Sequence, residues 1–393
     1  MPAADAAPLR RLLMTADAVG GVWTYALELA QGLAAHGVDT LIAVLGPPPS
    51  DLQRADAARR AGVRLAEWHG RLEWMDDPWA DVQTSGAWLM RLAQDWSPDV
   101  VHLNGYTHGA WRWPAPVLVA GHSCIRSWWR AVEGADAPPR FARYCREVTR
   151  GLHAADLVVA PSASMLAALR QHYPPLPHAE VIPNGRRPTL AAVAKEPMVL
   201  TAGRLWDAAK NVRAVCDVAS QIPWPVYAAG PTAPADGDTG VQRLGTLDAA
   251  DMARWMGRAS IYALPARYEP FGLSVLEAAQ AGCALVLGDI DSLRENWDGA
   301  ALFVPPDDRR ALAAALRALI ENASHRRELA ARAHERSRQF TVERMVLAYL
   351  RAYRHLLTRG HVQADGLPAR ATGVSPGASA SPTRTDVRSA APV

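Results

Sequence analysis

The segment Glu269-Pro270-Phe271-Gly272-Leu273-Ser274-Val275-Leu276-Glu277 places two carboxylates eight positions apart. A Pro-Phe-Gly turn follows the first glutamate, and the apolar run after it predicts the start of a helix. The first backbone N–H groups of a helix have no intrahelical partner, so such an end attracts phosphate. Carboxylates on either side can accept hydrogen bonds from neutral diols. This combination of an anion cradle and diol acceptors matches the chemistry of a nucleotide-sugar.

Composition places the chain among soluble globular proteins and excludes several other classes. Of the residues, 49% are hydrophobic and 21% are charged, as in soluble globular proteins. The length of 393 residues is enough for two domains. A net charge of only +3 provides no argument for binding nucleic acid. The four cysteines form no C-x-x-C pair, so neither a metal site nor a redox motif is predicted. No signal peptide or apolar run of membrane-spanning length is evident.

Strand-like and helix-like segments alternate in the first half of the chain. Amphipathic helices are predicted from about Gly21 to His36, over Pro78–Asp95 and over Phe141–His153. The predicted strands are Leu9–Thr15, Asp39–Leu45, Val63–Trp68, Val100–Leu103, Val117–Ala120 and Leu157–Ala160. This alternation predicts a parallel sheet with helices on both faces.

The alternation restarts after a Pro- and Ala-rich connector that ends near Pro197. The predicted strands are Met198–Ala202, Val226–Ala229, Val241–Leu244, Ile261–Leu264, Ala284–Leu287 and Ala301–Val304. The predicted helices are Asn211–Gln221, Ala249–Arg258, Gly272–Ala281, Asp307–Leu319, Asn322–Arg338 and Thr341–Thr358. We therefore predict an α/β fold of two Rossmann-like domains facing across a cleft, because open α/β sheets bind ligands at their C-terminal strand ends. The predicted domains span residues 1–190 and 191–340, followed by a terminal helix over 341–358 and a disordered tail over 359–393.

Cations that could hold a diphosphate follow the first strand of the second domain. Gly203 and Arg204 close that strand, and Lys210 precedes the next helix. Arg presents a planar fork and Lys a mobile point charge, so the two side chains can converge on one diphosphate. Lys210 is one of only two lysines in a chain that otherwise uses arginine. The alternative is a solvated cation near a helix start.

Other candidate residues lie at strand ends of the first domain. Gly20 and Gly21 follow the first strand and permit close approach of a ligand to the backbone, although a simple tight turn explains them equally well. They do not form a G-x-G-x-x-G fingerprint. His122 follows a strand at the expected mouth of the cleft, where it could contact a sugar hydroxyl or be a structural residue. Asp289-Ile290-Asp291 resembles a metal-binding D-x-D, but a helix cap is the favoured interpretation, so no metal site is predicted.

Taken in order and spacing, these motifs resemble the retaining GT-B glycosyltransferases of family 4, also called glycosyl transferases group 1. The Glu269–Glu277 segment is similar to the E-x7-E signature of that family, and the resemblance extends over roughly Leu9 to Leu357. One departure is Asn104, which stands where relatives often have a second histidine near the end of a strand.

The resemblance implies a role for each matching residue. The nucleotide-sugar would be held mainly by the second domain and the acceptor by the first, with the last helix crossing back to the first domain. Glu277 would bind the ribose hydroxyls, and Glu269 the donor sugar. The implied catalytic residues are His122, Arg204, Lys210 and Glu269. The implied donor-binding residues are Gly20, Gly21, Gly203, Arg204, Lys210, Glu269, Phe271, Gly272, Leu273 and Glu277.

The implied activity is transfer of a hexosyl group from a nucleotide diphosphate sugar to a hydroxyl of a saccharide, a lipid-linked glycan or a polyol. UDP-glucose is the default donor, with GDP-mannose and ADP-glucose as alternatives. Neither a cofactor nor a metal ion is expected. The rival hypotheses are a GT-B epimerase or hydrolase, and a nucleotide-sugar-binding subunit without catalysis. We expect a cytoplasmic monomer or homodimer that binds no nucleic acid; peripheral contact with the inner membrane face stays open.

Overall fold

The computed structural model describes residues 8–188, 193–231 and 240–364. In its first part, seven parallel strands form one sheet in the order β3-β2-β1-β4-β5-β6-β7. The strands are β1 (Arg11–Asp17), β2 (Asp39–Gly46), β3 (Val63–His69), β4 (Val100–Leu103), β5 (Val117–Ala120), β6 (Leu157–Ala160) and β7 (Ala179–Val181). The helices of this unit are α1 (Gly21–Ala34), α2 (Asp51–Ala58), α3 (Trp79–Trp96), α4 (Ile125–Val132), α5 (Ala142–Ala154) and α6 (Ala163–His172). The central strands are continuous apolar runs because helices cover both faces of the sheet.

The second part repeats this plan with a six-stranded parallel sheet, counted over the same described residues, in the order β10-β9-β8-β11-β12-β13. Its strands are β8 (Glu196–Ala202), β9 (Val226–Ala229), β10 (Gln242–Gly245), β11 (Ala259–Leu264), β12 (Ala284–Gly288) and β13 (Leu302–Val304). Its helices are α7 (Val212–Val218), α8 (Ala249–Arg258), α9 (Leu273–Gln280), α10 (Asp291–Trp297), α11 (Arg309–Glu321) and α12 (Ala323–Ser337). The strand order reverses between β1 and β4 and between β8 and β11, which are the positions where such sheets bind ligands.

The last helix, α13 (Val342–Ala364), returns to the first unit. Its Val346, Tyr349 and Tyr353 are buried in the same core cluster as the inner face of α1. The helix is longer than the predicted Thr341–Thr358, so the predicted disordered tail is wrong for residues 359–364. No proline occurs between Val342 and Pro368, and a single glycine in a helix costs only about 1 kcal/mol. The rest of that tail, residues 365–393, lies outside the described residues.

The predicted α/β fold class is confirmed, and all the predicted strands are present with small shifts at their ends. The predicted boundary at residues 190 and 191 lies outside the described residues. The sequence analysis missed β7 and the helices α2, α4, α6 and α10. For α2 a signal was available, because Ser50 and Gln53 form a capping box at its start.

Hydrogen bonds join the two units beside the β11–α9 loop. The Tyr268 hydroxyl lies 2.8 Å from Ser127 Oγ at the start of α4. Ser162 Oγ donates to the carbonyl oxygen of Pro270 at 2.7 Å. The Glu295 carboxylate of α10 accepts from the first two amides of α6, at 2.7 and 2.9 Å. These contacts hold the loop that contains Glu269 against the first unit.

Candidate active site

Lys210 and Glu269 meet at the strand-order reversal of the second sheet. Lys210 lies between β8 and α7, and Glu269 between β11 and α9. Lys210 Nζ donates to Glu269 Oε2 at 2.5 Å. The other carboxylate oxygen, Oε1, accepts from the amides of Gly272 at 2.9 Å and Phe271 at 3.4 Å. Both oxygens of this buried glutamate are therefore engaged.

This geometry changes the assignment of the α9 amides. The resemblance implies that the amides of Phe271, Gly272 and Leu273 meet the donor, but the first two donate to Glu269 in this structure. The Phe271 ring is buried and packs edge-on against Phe340 at 5.5 Å between ring centroids. The amides that begin α9 at Leu273 precede the first intrahelical hydrogen bond and have no partner among the described residues, so they can donate to an anion.

Arg204 lies at the C-terminal end of β8 and has a carboxylate partner of its own. Its Nε and Nη2 donate to Asp207 Oδ2 at 3.1 and 2.7 Å, and its guanidinium stacks over the Trp206 ring at 5.3 Å. The same charge acts on Asp17, at the end of β1 in the facing unit. Burial raises the pKa of Asp17, against the opposing effect of nearby amides and of Arg204. Asp17 is a further candidate site residue, and its only signal in the sequence is a carboxylate at the end of a buried strand.

Backbone packing beside the β8–α7 turn requires glycine at position 230. A Cβ on Gly203 would lie 3.4 Å from the Lys210 side chain. Gly230, after β9, has φ +135°, and a Cβ there would collide with the carbonyl oxygen of Gly203. Backbone packing therefore holds the base of the Lys210 side chain in place.

The glycine pair of the first unit faces the second. A Cβ on Gly21 would lie 3.3 Å from Leu273 Cδ1 at the start of α9, whereas Gly20 faces open space. The turn after β1 therefore approaches the amides that begin α9. This brings Gly20 and Gly21 close to the Glu269 loop across the cleft.

His122 lies in the first unit and has a defined tautomer. Its Nε2 lies 2.8 Å from Asn104 Oδ1, and the side-chain Nδ2 of Asn104 donates to the carbonyl oxygen of Thr15 at 2.6 Å. Asn104 Oδ1 must therefore accept, so Nε2 of His122 carries the proton, and Nδ1, which has no hydrogen-bond partner in the part of the chain that the structure describes, can accept one. Burial lowers the pKa of His122 to about 4, which keeps the ring neutral. Asn104, the departure from the family pattern, is thus the residue that orients the histidine.

Glu277 lies in α9 and is held by an arginine that the sequence analysis did not single out. Arg186 Nε donates to Glu277 Oε1 at 2.6 Å. The Glu277 side chain is 18% exposed. Its second oxygen, Oε2, accepts no hydrogen bond from any residue that the structure describes, so it is available to a ligand.

The two aspartates of the D-x-D motif have separate structural surroundings. Asp289 Oδ2 accepts from Arg294 Nη2 at 2.7 Å, and Asp291 is the first residue of α10. Within residues 8–188, 193–231 and 240–364, no three His, Cys, Asp or Glu side chains come together to hold a metal ion. Among the helices of this described part, none has the length and apolar character needed to cross a membrane.

Comparisons with known proteins identify the family. A model of "Glycosyltransferase Family 4" matches residues 19–189, and one of "Glycosyl transferases group 1" matches residues 196–322. The D-inositol 3-phosphate glycosyltransferase of Kineococcus radiotolerans is 26% identical, over 86% of this chain and 91% of that protein. The phosphatidyl-myo-inositol mannosyltransferase of Mycolicibacterium smegmatis is 35% identical, over 32% of this chain and 34% of that protein.

Two solved structures share the fold. Sucrose-phosphate synthase from Thermosynechococcus elongatus superposes with a TM-score of 0.74 at 20% identity, covering 89% of this chain and 100% of that one. Anabaena HepE in complex with UDP and glucose superposes with a TM-score of 0.69 at 15% identity, covering 88% and 99%.

Two facing parallel α/β units with a polar cleft between their C-terminal strand ends define the GT-B class. The chain belongs to family 4 of the GT-B glycosyltransferases, and it is an enzyme of the transferase class.

Proposed function

We propose that this protein is a retaining hexosyltransferase that uses a nucleotide diphosphate sugar and glycosylates a hydroxyl of a saccharide, a lipid-linked glycan or a polyol. The observation that carries the proposal is the convergence of Lys210, Glu269 and the start of α9 opposite Gly20-Gly21. A cation, a fixed carboxylate and unpaired helix amides in one cleft match a diphosphate joined to a polyhydroxylated sugar.

The leaving group sets the main electrostatic demand of the reaction. A departing nucleoside diphosphate develops negative charge, and Lys210, Arg204 and the amides of α9 would stabilise that charge without a divalent ion. Arg204 can contact the diphosphate while it stays paired with Asp207, because Nη1 of Arg204 has no hydrogen-bond partner in the described part of the chain.

Glu269 would orient the donor sugar rather than attack it. Both of its oxygens already accept hydrogen bonds, from Lys210 and from the Gly272 and Phe271 amides. A nucleophile needs a free oxygen aimed at the anomeric carbon. This supports attack by the acceptor on the same face that the diphosphate leaves, with a diphosphate oxygen taking the acceptor proton. His122, neutral and with Nδ1 free, would accept a hydrogen bond from a sugar hydroxyl.

The donor proposed for the first assay is UDP-glucose. The UDP and glucose in the Anabaena HepE structure support that choice. The mannosyltransferase among the relatives supports GDP-mannose as the second candidate. ADP-glucose completes the panel.

The test incubates the purified protein with each nucleotide-sugar, with and without a panel of saccharide, lipid-linked and polyol acceptors, and measures nucleotide release and product. We expect release that requires an acceptor and persists in EDTA. Release without an acceptor would identify a hydrolase or epimerase instead. Binding without turnover for every acceptor would identify a catalytically inactive subunit, and neither binding nor turnover would refute the proposal.

Glu277→Ala separates a donor-binding role from acid/base chemistry. We expect weaker binding of the nucleotide-sugar and an unchanged pH dependence of kcat, because Glu277 would contact ribose hydroxyls away from the reacting bond. A shifted pH profile with unchanged donor affinity would restore an acid/base role for the two glutamates.

A further inference from the structure

Arg186 lies in the segment that joins the two sheets, after β7 and before β8, and its backbone is fixed on both sides. Its amide donates to the carbonyl of Phe340 at 3.1 Å. Its own carbonyl accepts from Gln280 Nε2 at 2.8 Å. The side chain is 9% exposed, so its guanidinium is nearly removed from water.

That guanidinium joins one carboxylate from each unit. Nε donates to Glu277 Oε1 of α9 at 2.6 Å, and Nη1 donates to Glu28 Oε1 of α1 at 2.5 Å. The Glu28 side chain is only 5% exposed. Arg60 Nη1, 3.7 Å from Glu28 Oε1, supplies a second positive charge.

Stability alone does not explain this buried ionic group. Desolvation of charged groups offsets most of their attraction, and well-packed apolar residues of similar size would hold the same elements together at least as well. What apolar residues cannot do is set the direction of a carboxylate. With Oε1 bonded to Arg186, rotation of the Glu277 carboxylate is restricted, and Oε2 is the oxygen presented to a ligand.

We propose that Arg186 is a positioning residue for the nucleotide. It holds Glu277 in the orientation that accepts hydrogen bonds from the ribose hydroxyls, and its bond to Glu28 ties that orientation to α1 of the first unit. The inference rests on the proposed function, since it requires a nucleoside diphosphate in the cleft. It makes recognition of the ribose depend on contact between the two units.

The test is a double-mutant-type cycle that removes the Arg186 guanidinium from the protein and the ribose hydroxyls from the nucleotide, singly and together. Titration calorimetry measures binding of UDP, GDP and ADP to the wild type, and the nucleotide that binds most tightly is then compared with its 2′,3′-dideoxy analogue. Hydrogen bonds to a charged acceptor predict a preference of roughly 10- to 100-fold for the hydroxylated nucleotide. The same pair of ligands is then measured with Arg186→Met.

We expect Arg186→Met to lower that preference to less than about threefold while affinity for the dideoxy analogue stays close to that of the wild type. Arg186→Lys retains the charge and protects the fold, but a lysine cannot make the two-sided contact. We expect it to lower the preference as well. The matched control is Arg258→Met, which removes a bidentate contact to Glu196, at 2.6 and 2.9 Å, elsewhere in the second unit.

Each outcome counts for or against the inference. An unchanged preference in either Arg186 variant refutes it, as does an equal loss of affinity for both ligands, which a purely structural role would produce. A wild type that binds the nucleotide without preferring the hydroxylated form refutes it and leaves the proposed function standing. A wild type that binds none of the three nucleotides refutes both.

Discussion

Lys210→Met removes the cation beside Glu269 with little change in side-chain volume. The removed charge would face the departing diphosphate, where loss of a preorganised donor costs roughly a 100- to 1,000-fold decrease in rate, about 3–4 kcal/mol of barrier. A unit charge at ~4 Å with an effective dielectric constant of ~20 contributes about 4 kcal/mol, which agrees with that range. We therefore expect kcat to fall by two to three orders of magnitude.

The cost to folding is smaller, so loss of folded protein cannot imitate this effect. Glu269 keeps the amides of Gly272 and Phe271, and the Lys210 side chain is one quarter exposed. Losing one hydrogen bond to a charged group costs about 1.5–3 kcal/mol. A domain with about 5–15 kcal/mol of stability remains almost fully folded after that loss.

The assay measures kcat from nucleotide release at saturating nucleotide-sugar, with urea unfolding in parallel. The control is Lys195→Met, the only other lysine substituted in the same way. Lys195 precedes β8 and donates to the carbonyl of Met256 at 3.0 Å, about 20 Å along that strand from the site. A Lys210→Met rate within about threefold of the wild type, or an equal loss in Lys195→Met, would contradict the role assigned to Lys210.

Gly230→Ala should reduce folding stability and donor binding beyond the roughly 1–3 kcal/mol of strain at a positive φ, because its Cβ would displace Gly203. Gly134→Ala, at φ +65° in open space, measures the strain of a left-handed residue without a collision. Equal unfolding free energies for the two variants would contradict the collision. A second prediction concerns pH: burial, with a smaller effect of a neighbouring histidine, lowers the pKa of His102 to about 3. The unfolded chain then binds more protons than the folded one between about pH 6.5 and 3. The free energy of unfolding therefore decreases as the pH is lowered through this range, by up to about 1.4 kcal/mol per pH unit from this group. Urea unfolding from pH 6.5 to 4.5 should give a shallower slope for His102→Gln and an unchanged slope for the exposed His36→Gln; identical slopes for all three proteins would be evidence against a neutral buried His102.

Much of the fold could be predicted because the hydrophobic pattern that indicates a strand or a helix lies in consecutive residues. Strands such as Val100–Leu103, Val117–Ala120 and Leu157–Ala160 are short apolar runs between helical stretches, and the structure has them at those residues. The short helices that were missed differ in their local signals, since α2 begins with a capping box and α4 is amphipathic but lacks a common capping residue. In α4, for example, a cysteine takes the capping position instead of a residue that commonly caps helices.

The candidate site residues on the E-x7-E segment were proposed from the sequence, but the groups that they contact could not be. Asn104 and Arg186 hydrogen-bond to candidate site residues that are distant in the chain, and the charge of Arg204 acts on Asp17 from the other unit. Arg186 lies 91 positions from Glu277 and 158 from Glu28. No periodicity or short motif reports such a contact, because it depends on how two separate units pack.

From the sequence alone we could predict the alternation of strands and helices, the paired units and the candidate residues for a diphosphate and a sugar, since each depends on residues that are neighbours in the chain. Which groups those residues contact is apparent only in the folded protein. It engages the Phe271 and Gly272 amides with Glu269, orients His122 through Asn104, and joins Glu277 to α1 through Arg186. The physical reason is that side-chain orientation and charge pairing are set by burial against distant segments, and those segments meet only when the two units are packed together.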